Sequence, residues 1–525
     1  MSDMGVLVDR SRQLGAPGSV RLDQRDSGSD PIVARELKRR ASEGALASLA
    51  CQAASLVLRT GSMMILARLL VPADFGLVGM VLAITGLVGM MKEAGLSDAA
   101  IQSPSVSGEL LSMLFWINVA VGCGLAMLCA ALAPILAAFY HEPRVLWITL
   151  AVGTGFLFTG LGVQHRARLL RDMRIRLVAL MDLASLLVSV VISIGMAAFG
   201  WGYWSLVAGT ITIPAGNALA AWLATGWTPI RPRRHAGVGN MIAYGTTITL
   251  NSAVVYFAYN VEKVLLGRFW GPEILGVYGR AYQLINLPND SLQSTIGSVA
   301  FPTLARVQTS STELRSYFLR IYAAFVSLSL PITMVCGFFA EELIAVFLGS
   351  QWHASAGVFR RLSPTIMVYA LINPLSWLLF ATGRVRRSLA MALVIAPVVV
   401  LAYALGLSGG PNGVALNYST AMVCLAIPLV FWATRGTSIT VRDILRTLAY
   451  PTAALVLSAG AVLLVWPWIT QLGPALLRLI LGCVVLFGVY LSLLLFVFGQ
   501  LPTYARQLQH VGLLRRWLPK HNEIG

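Results

Sequence analysis

Charge is scarce in this chain: Asp, Glu, Lys and Arg together make up 12% of the 525 residues, where soluble proteins carry about one quarter. That excludes an ordinary water-soluble enzyme, and the aromatic-plus-basic faces that hold nucleic acid are missing as well. Lysine is nearly absent, limited to Lys38, Lys92, Lys263 and Lys520. No GxxxxGK[ST] loop therefore exists, so the chain has no ATP-binding P-loop. The histidines (His141, His165, His235, His353, His510, His521) are scattered, with no HExxH. There is no GxSxG and no paired-carboxylate loop, so the sequence shows no catalytic chemistry. The cysteines (Cys51, Cys123, Cys129, Cys336, Cys424, Cys483) lie in apolar runs without close pairing or histidine spacing. They read as small packing residues rather than disulfides or metal ligands. No metal and no cofactor is expected.

What is present is apolar length. Hydrophobic residues make up 57% of the chain, and mean hydropathy is +0.75. Runs of about 20 residues suffice to cross the ~30 Å hydrocarbon layer of a bilayer, and in lipid such runs must be helices. The pattern predicts spans over 46–68, 76–100, 109–138, 145–165, 177–199, 203–225, 239–266, 276–304, 316–348, 355–382, 388–406, 412–434, 446–466 and 474–499. The fold class is all-α integral membrane, with about fourteen transmembrane helices. Pro and Gly punctuate the turns, as at Pro72, Gly200-Trp201-Gly202, Pro272 and Gly409-Gly410-Pro411.

The net charge of +17 is distributed as a topology signal. With the N-terminus inside, the inward segments hold Arg166, Arg168, Arg171, Arg174 and Arg176, then Arg231, Arg233 and Arg234, then Arg384, Arg386 and Arg387. Arg306, Arg315, Arg435, Arg442, Arg446, Arg506, Arg515, Arg516 and Lys520 fall on the same side. The outward side holds only Arg68, Arg144, Arg268, Arg360, Arg361 and Arg478. The positive-inside rule places both termini in the cytoplasm. The expected organisation is a disordered cytoplasmic tail at 1–45, an N-lobe at 46–225 and a basic linker at 226–238. A C-lobe at 239–434, two further helices at 435–499 and a basic cytoplasmic tail at 500–525 complete it.

An internal repeat supports two lobes. Ala67-Arg68-Leu69-Leu70-Val71-Pro72-Ala73-Asp74-Phe75-Gly76-Leu77-Val78-Gly79 aligns with Gly267-Arg268-Phe269-Trp270-Gly271-Pro272-Glu273-Ile274-Leu275-Gly276-Val277-Tyr278-Gly279. Arg, Pro and both Gly recur at the turn between the first and second helix of each half. An even number of helices separates the copies, so the repeats are parallel, an arrangement used by alternating-access transporters.

The first copy is followed by Glu93-Ala94-Gly95-Leu96-Ser97-Asp98-Ala99-Ala100-Ile101-Gln102. With Arg171-Asp172-Met173-Arg174, Gly200-Trp201-Gly202-Tyr203-Trp204-Ser205-Leu206-Val207 and Ala300-Phe301-Pro302-Thr303-Leu304, the sequence resembles polysaccharide exporters of the Wzx type. The resemblance is closest to the colanic-acid-exporter branch and covers roughly residues 46–500. Those exporters belong to the multidrug/oligosaccharidyl-lipid/polysaccharide (MOP) superfamily. The resemblance implies two pseudo-symmetric six-helix bundles in a V, here with two extra C-terminal helices. It implies a flippase in the bacterial cytoplasmic (inner) membrane that moves undecaprenyl-diphosphate-linked oligosaccharide to the periplasmic leaflet. The products would be exopolysaccharide, capsule or lipopolysaccharide, and a polymerase and other polysaccharide-assembly proteins would be partners.

Charged side chains inside a bilayer are costly and are functional candidates by default. Arg59, Lys92, Lys263 and Arg280 are candidate partners for the diphosphate, and Asn251, Asn260 and Tyr256 for sugar hydroxyls. Coupling to a proton or sodium gradient would use an embedded acid, with Glu262, Asp290, Glu93 and Asp182 as candidates. The plainer readings are local pairs at Lys92–Glu93 and Glu262–Lys263, and snorkelling toward the interface. Pro288 and Pro331 are candidate bending points, or static kinks filled by packing. The competing functions are another exporter of the same superfamily, for a peptidoglycan lipid precursor or drugs, and a membrane glycan polymerase. The surplus of basic over acidic residues favours an anionic substrate over organic cations.

Overall fold

A computed structural model describes residues 31–90, 108–230, 256, 257, 259–471 and 473–500. Lys92, Glu93 and Asn251 lie outside the described residues, as do the linker arginines and the tail at 504–518. All regular structure among the described residues is helical. Eleven stretches there are long and apolar enough to cross a membrane.

The N-lobe comprises α1 (Pro31–Leu69), α2 (Pro72–Met90), α3 (Gly108–Tyr140), α4 (Arg144–Arg171), α5 (Ile175–Ala198) and α6 (Tyr203–Thr225). α1 starts at Pro31, well inside the stretch expected to be disordered. Proline is favoured at the first helical position, and the Ala, Leu, Glu, Lys and Arg that follow are strong helix formers, so local propensity carries the helix before the apolar span begins. Within the lobe α1 packs on α5, α3 on α4, and α6 on both α4 and α5.

The C-lobe repeats this plan with more breaks. α7 runs from Val261 to Arg306 but is split at Gly271 (φ 79°, ψ −178°), a conformation that glycine reaches without a Cβ penalty. Pro272 opens the second piece. The expected ninth span divides into α8 (Ser311–Phe338) and a short helix α9 (Ala340–Phe347), and the tenth into α10 (His353–Leu362) and α11 (Pro364–Ala381). Pro364 sets the latter division by opening a new helix. α12 (Val385–Gly406) and α13 (Gly410–Thr434) complete the lobe. Gly410 (φ 61°) turns the chain between them.

α14 (Val441–Ile469) and α15 (Ala475–Ser492) pack on α8 and α9. Pro331 lacks the N–H that would bond the Ser327 carbonyl, four residues back. The Tyr490 hydroxyl of α15 donates to that oxygen at 2.9 Å, and Leu330 and Pro331 are buried. This proline kink is filled by packing. Arg315 of α8 meets Asp443 of α14 through two hydrogen bonds (3.0 and 2.5 Å), and Thr440 and Asp443 form a capping box at the start of α14.

Candidate functional site at the junction of the lobes

The two repeat copies lie against each other. A Cβ added to Gly76 would run into the Pro272 carbonyl oxygen, and one added to Gly276 would run into the Pro72 carbonyl. The contact is reciprocal, as a two-fold axis between the lobes requires. Glycine is needed in both copies because only a bare Cα lets the opposite proline backbone approach this closely.

The repeat arginines complete the seal by crossing to the other lobe. Arg68 donates through Nη2 to the Val346 carbonyl of α9 at 2.8 Å. Arg268 stands 5.7 Å from the Phe139 ring at the end of α3. The last carbonyls of a helix have no intrahelical partner, and those of α1 are met from the C-lobe. Trp352 Nε1 donates to the Ala67 carbonyl at 2.7 Å, and Gln351 donates to Ala67 and Leu70. This closed end of the molecule bears the α1–α2 turn and is opposite the arginine-rich turns.

The seal reaches further along α2. The Tyr256 hydroxyl, expected to face sugar, donates instead to the Leu82 carbonyl at 3.3 Å. It sits where a Cβ on Gly86 would fall. Arg280 lies one turn beyond Gly276, half-buried. Its guanidinium is 3.9 Å from the centre of the Phe75 ring of the opposite lobe and bonds Gln283 at 2.5 Å.

Arg59 is exposed and has no ion pair or side-chain hydrogen bond among the described residues. It shares a helical face with Met63, Leu66, Ala67 and Leu70, all buried in the junction. Eight residues separate it from Ala67, about 12 Å at the helical rise. Its position continues, on an exposed stretch of α1, the stripe that is buried in the junction further along.

Lys263 and Asn260 are brought together. The ammonium donates to Asn260 Oδ1 at 2.6 Å and stands 6.0 Å from the Tyr282 ring, while Asn260 donates to the Tyr256 carbonyl at 2.9 Å. Lys263 is turned from its neighbour Glu262, and the two make no ion pair among the described residues. Glu262 is fully buried, and among the described residues no side-chain donor reaches either carboxylate oxygen. In the same lobe is a group of tyrosines that sequence reasoning missed. Tyr278, Tyr282, Tyr369 and Tyr403 all lie within electrostatic reach of Glu262. Tyr278 stacks on Tyr282 and Tyr403 on Tyr418, and the Tyr369 and Tyr418 hydroxyls are 2.6 Å apart. The hydroxyls of Tyr278 and Tyr403 are buried and have no partner among the described residues. The recurrence of Tyr in apolar C-lobe helices was the available signal.

The other described acids differ. Asp182 is held by Arg166 through two bonds of 2.6 and 2.9 Å, with both side chains partly exposed. Asp290 is exposed on α7, on the face that carries Arg280 and Gln283. Phe75, Gln351 and Trp352 were also not anticipated. Nothing in the primary pattern of the last two marks them as reaching α1.

The profile of a family described as polysaccharide biosynthesis protein matches residues 65–357. The chain is 23% identical over 366 residues to the lipopolysaccharide biosynthesis protein WzxC of Escherichia coli (strain K12), covering 68% of this chain and 73% of that protein. It is 23% identical over 297 residues to the teichuronic acid biosynthesis protein TuaB of Bacillus subtilis (strain 168), covering 56% of this chain and 61% of that protein. The match to TuaB therefore spans less than two thirds of its length. Among solved structures, the lipid II flippase MurJ in an inward closed conformation superposes with a TM-score of 0.70 at 13% identity, over 87% of this chain and 99% of that one. The two share the fold.

Proposed function

Given that the chain belongs to the polysaccharide biosynthesis protein family, we propose that it carries lipid-linked oligosaccharide across the membrane by alternating access. The substrate is an undecaprenyl-diphosphate-linked repeat unit, moved from the cytoplasmic to the periplasmic leaflet of the bacterial inner membrane. The observation that carries this reading is the reciprocal Gly–Pro seal at one end of the junction, with Arg59 exposed on the junction-facing stripe about 12 Å further in. A cavity closed at one end and basic within suits an anionic head that must change sides without crossing lipid.

In this reading the arginine-rich turns and both termini are cytoplasmic, and the sealed end is periplasmic. Arg59, Arg280, Lys263 and, outside the described residues, Lys92 meet the diphosphate. Asn260, Tyr256 and Asn251 meet sugar as the lobes part. Glu262 is the coupling acid. An ionised carboxylate buried without a counter-charge is strongly disfavoured, so uptake and release of a proton ties its burial to lobe movement. Asp290 and Glu93 are further candidates, and Asp182 already has a cationic partner. A polymerase would receive the repeat units on the far side.

Deletion of the gene should leave lipid-linked repeat units on the cytoplasmic leaflet, read by their resistance to an external probe of the glycan. Normal appearance of those units outside in the deletion strain refutes the proposal.

A further inference from the structure

The contact between Arg280 and Phe75 joins opposite lobes at the seal itself. Phe75 precedes Gly76 and Arg280 lies one turn after Gly276, so both side chains flank the reciprocal Gly–Pro contact. The Phe75 ring is buried and fixed on its other side by Trp352, whose ring centre is 5.4 Å away in an edge-on arrangement. Trp352 is in turn tied to the Ala67 carbonyl. Arg280 has Gln283 as a neutral partner, and no carboxylate pairs with it among the described residues. A half-buried guanidinium without a carboxylate partner is stabilised by the face of an aromatic ring, and here the ring belongs to the opposite lobe. Separation of Gly76 from Pro272 must therefore also remove Arg280 from its seat.

We propose that Phe75 is a positioning residue for Arg280, a cation–π seat that holds the guanidinium while the lobes are sealed and from which an anionic diphosphate head displaces it. Resting on the transport reading above, this gives loading a direct effect on the seal. Gln283 and Asp290 continue the face of α7 inward from Arg280, both exposed, so the guanidinium sits at the ceiling of the space that the head would occupy. A diphosphate offers it a stronger, charge-assisted partner. Any ligand that binds better to the unseated form must shift the population toward it. Loading thereby weakens the contact that keeps the far side shut.

The test uses the full chain in nanodiscs of zwitterionic lipid, with spin labels at Val71→Cys and Glu273→Cys in a background lacking the native cysteines. Without ligand, Phe75→Leu should raise the ratio of separated to sealed populations roughly tenfold, while Phe75→Tyr, which keeps the ring, should stay within about twofold. Arg280→Gln should act like Phe75→Leu. Geranyl diphosphate should then shift the unsubstituted chain toward separation and leave Arg280→Gln unmoved. The same distance distribution in Phe75→Leu and the unsubstituted chain, or an equal shift of Arg280→Gln by the probe, overturns the proposal. These distances need no transport. A ligand-free Phe75→Leu effect in a protein whose deletion leaves export normal would retain the seat and remove the transport reading.

Discussion

Two embedded carboxylates that look alike in the sequence have opposite surroundings in the fold. In the N-lobe, Asp182 on α5 meets Arg166 on α4 through two hydrogen bonds, both side chains partly open to the surface. In the C-lobe, Glu262 is buried, and among the described residues no side-chain donor reaches either oxygen and the hydroxyls of Tyr278 and Tyr403 have no partner. The first arrangement has its counter-charge in place and gains little from change. The second is poised, because the cost of its charge depends on whether the lobe stays dry. The difference teaches that two lobes built on one plan can treat an embedded acid in opposite ways, pairing Asp182 across two helices of the N-lobe and burying Glu262 in the C-lobe.

The comparison breaks most sharply on substitution of the acids. Glu262→Gln should reduce gradient-driven export into inverted vesicles by roughly 100-fold, whereas Asp182→Asn should stay within about threefold. Equal losses would dissolve the distinction. The seal tests the repeat symmetry that both lobes share. Gly76→Leu and Gly276→Leu should each destabilise the sealed state by ~1–3 kcal/mol, read as increased modification of a cysteine at the α1–α2 turn. A large effect from one and none from the other would show that the contact is reciprocal in shape alone. Smaller again, Tyr490→Phe should cost ~1–2 kcal/mol of thermal stability in detergent by removing the hydroxyl's bond to the Ser327 carbonyl, placing α15 as a brace for the C-lobe. The least effect is expected for Arg166→Gln, ~0–1 kcal/mol on unfolding, since partly exposed pairs contribute little.

Much of the fold was legible because lipid imposes a simple code. Apolar runs separated by Pro, Gly and clustered arginine gave the helices, and the matched Arg, Pro and Gly of residues 68–79 and 268–279 gave the two lobes. The site was less legible. Arg59 could be singled out by depth alone, but nothing local showed that Arg280 is seated on Phe75 or that Tyr256 bonds Leu82 across the junction. These contacts join residues some 170 to 210 positions apart across a junction that no local pattern encodes. The division of α8 from α9 and the capture of the α1 carbonyls by Gln351 and Trp352 were hidden for the same reason.

By itself the sequence determined that the chain is a bundle of membrane helices built from a parallel repeat, because hydrophobic length, punctuation and charge bias are local properties that a bilayer reads directly. Only the tertiary structure decided that the repeat motifs face each other as a seal, that Asp182 has an ionic partner and Glu262 no side-chain partner among the described residues, and which cation is held by a ring. Those outcomes depend on which helix faces meet across the fold, and contacts between residues far apart in the chain, such as those of Gly76 with Pro272 and Gly276 with Pro72, are written in no local pattern.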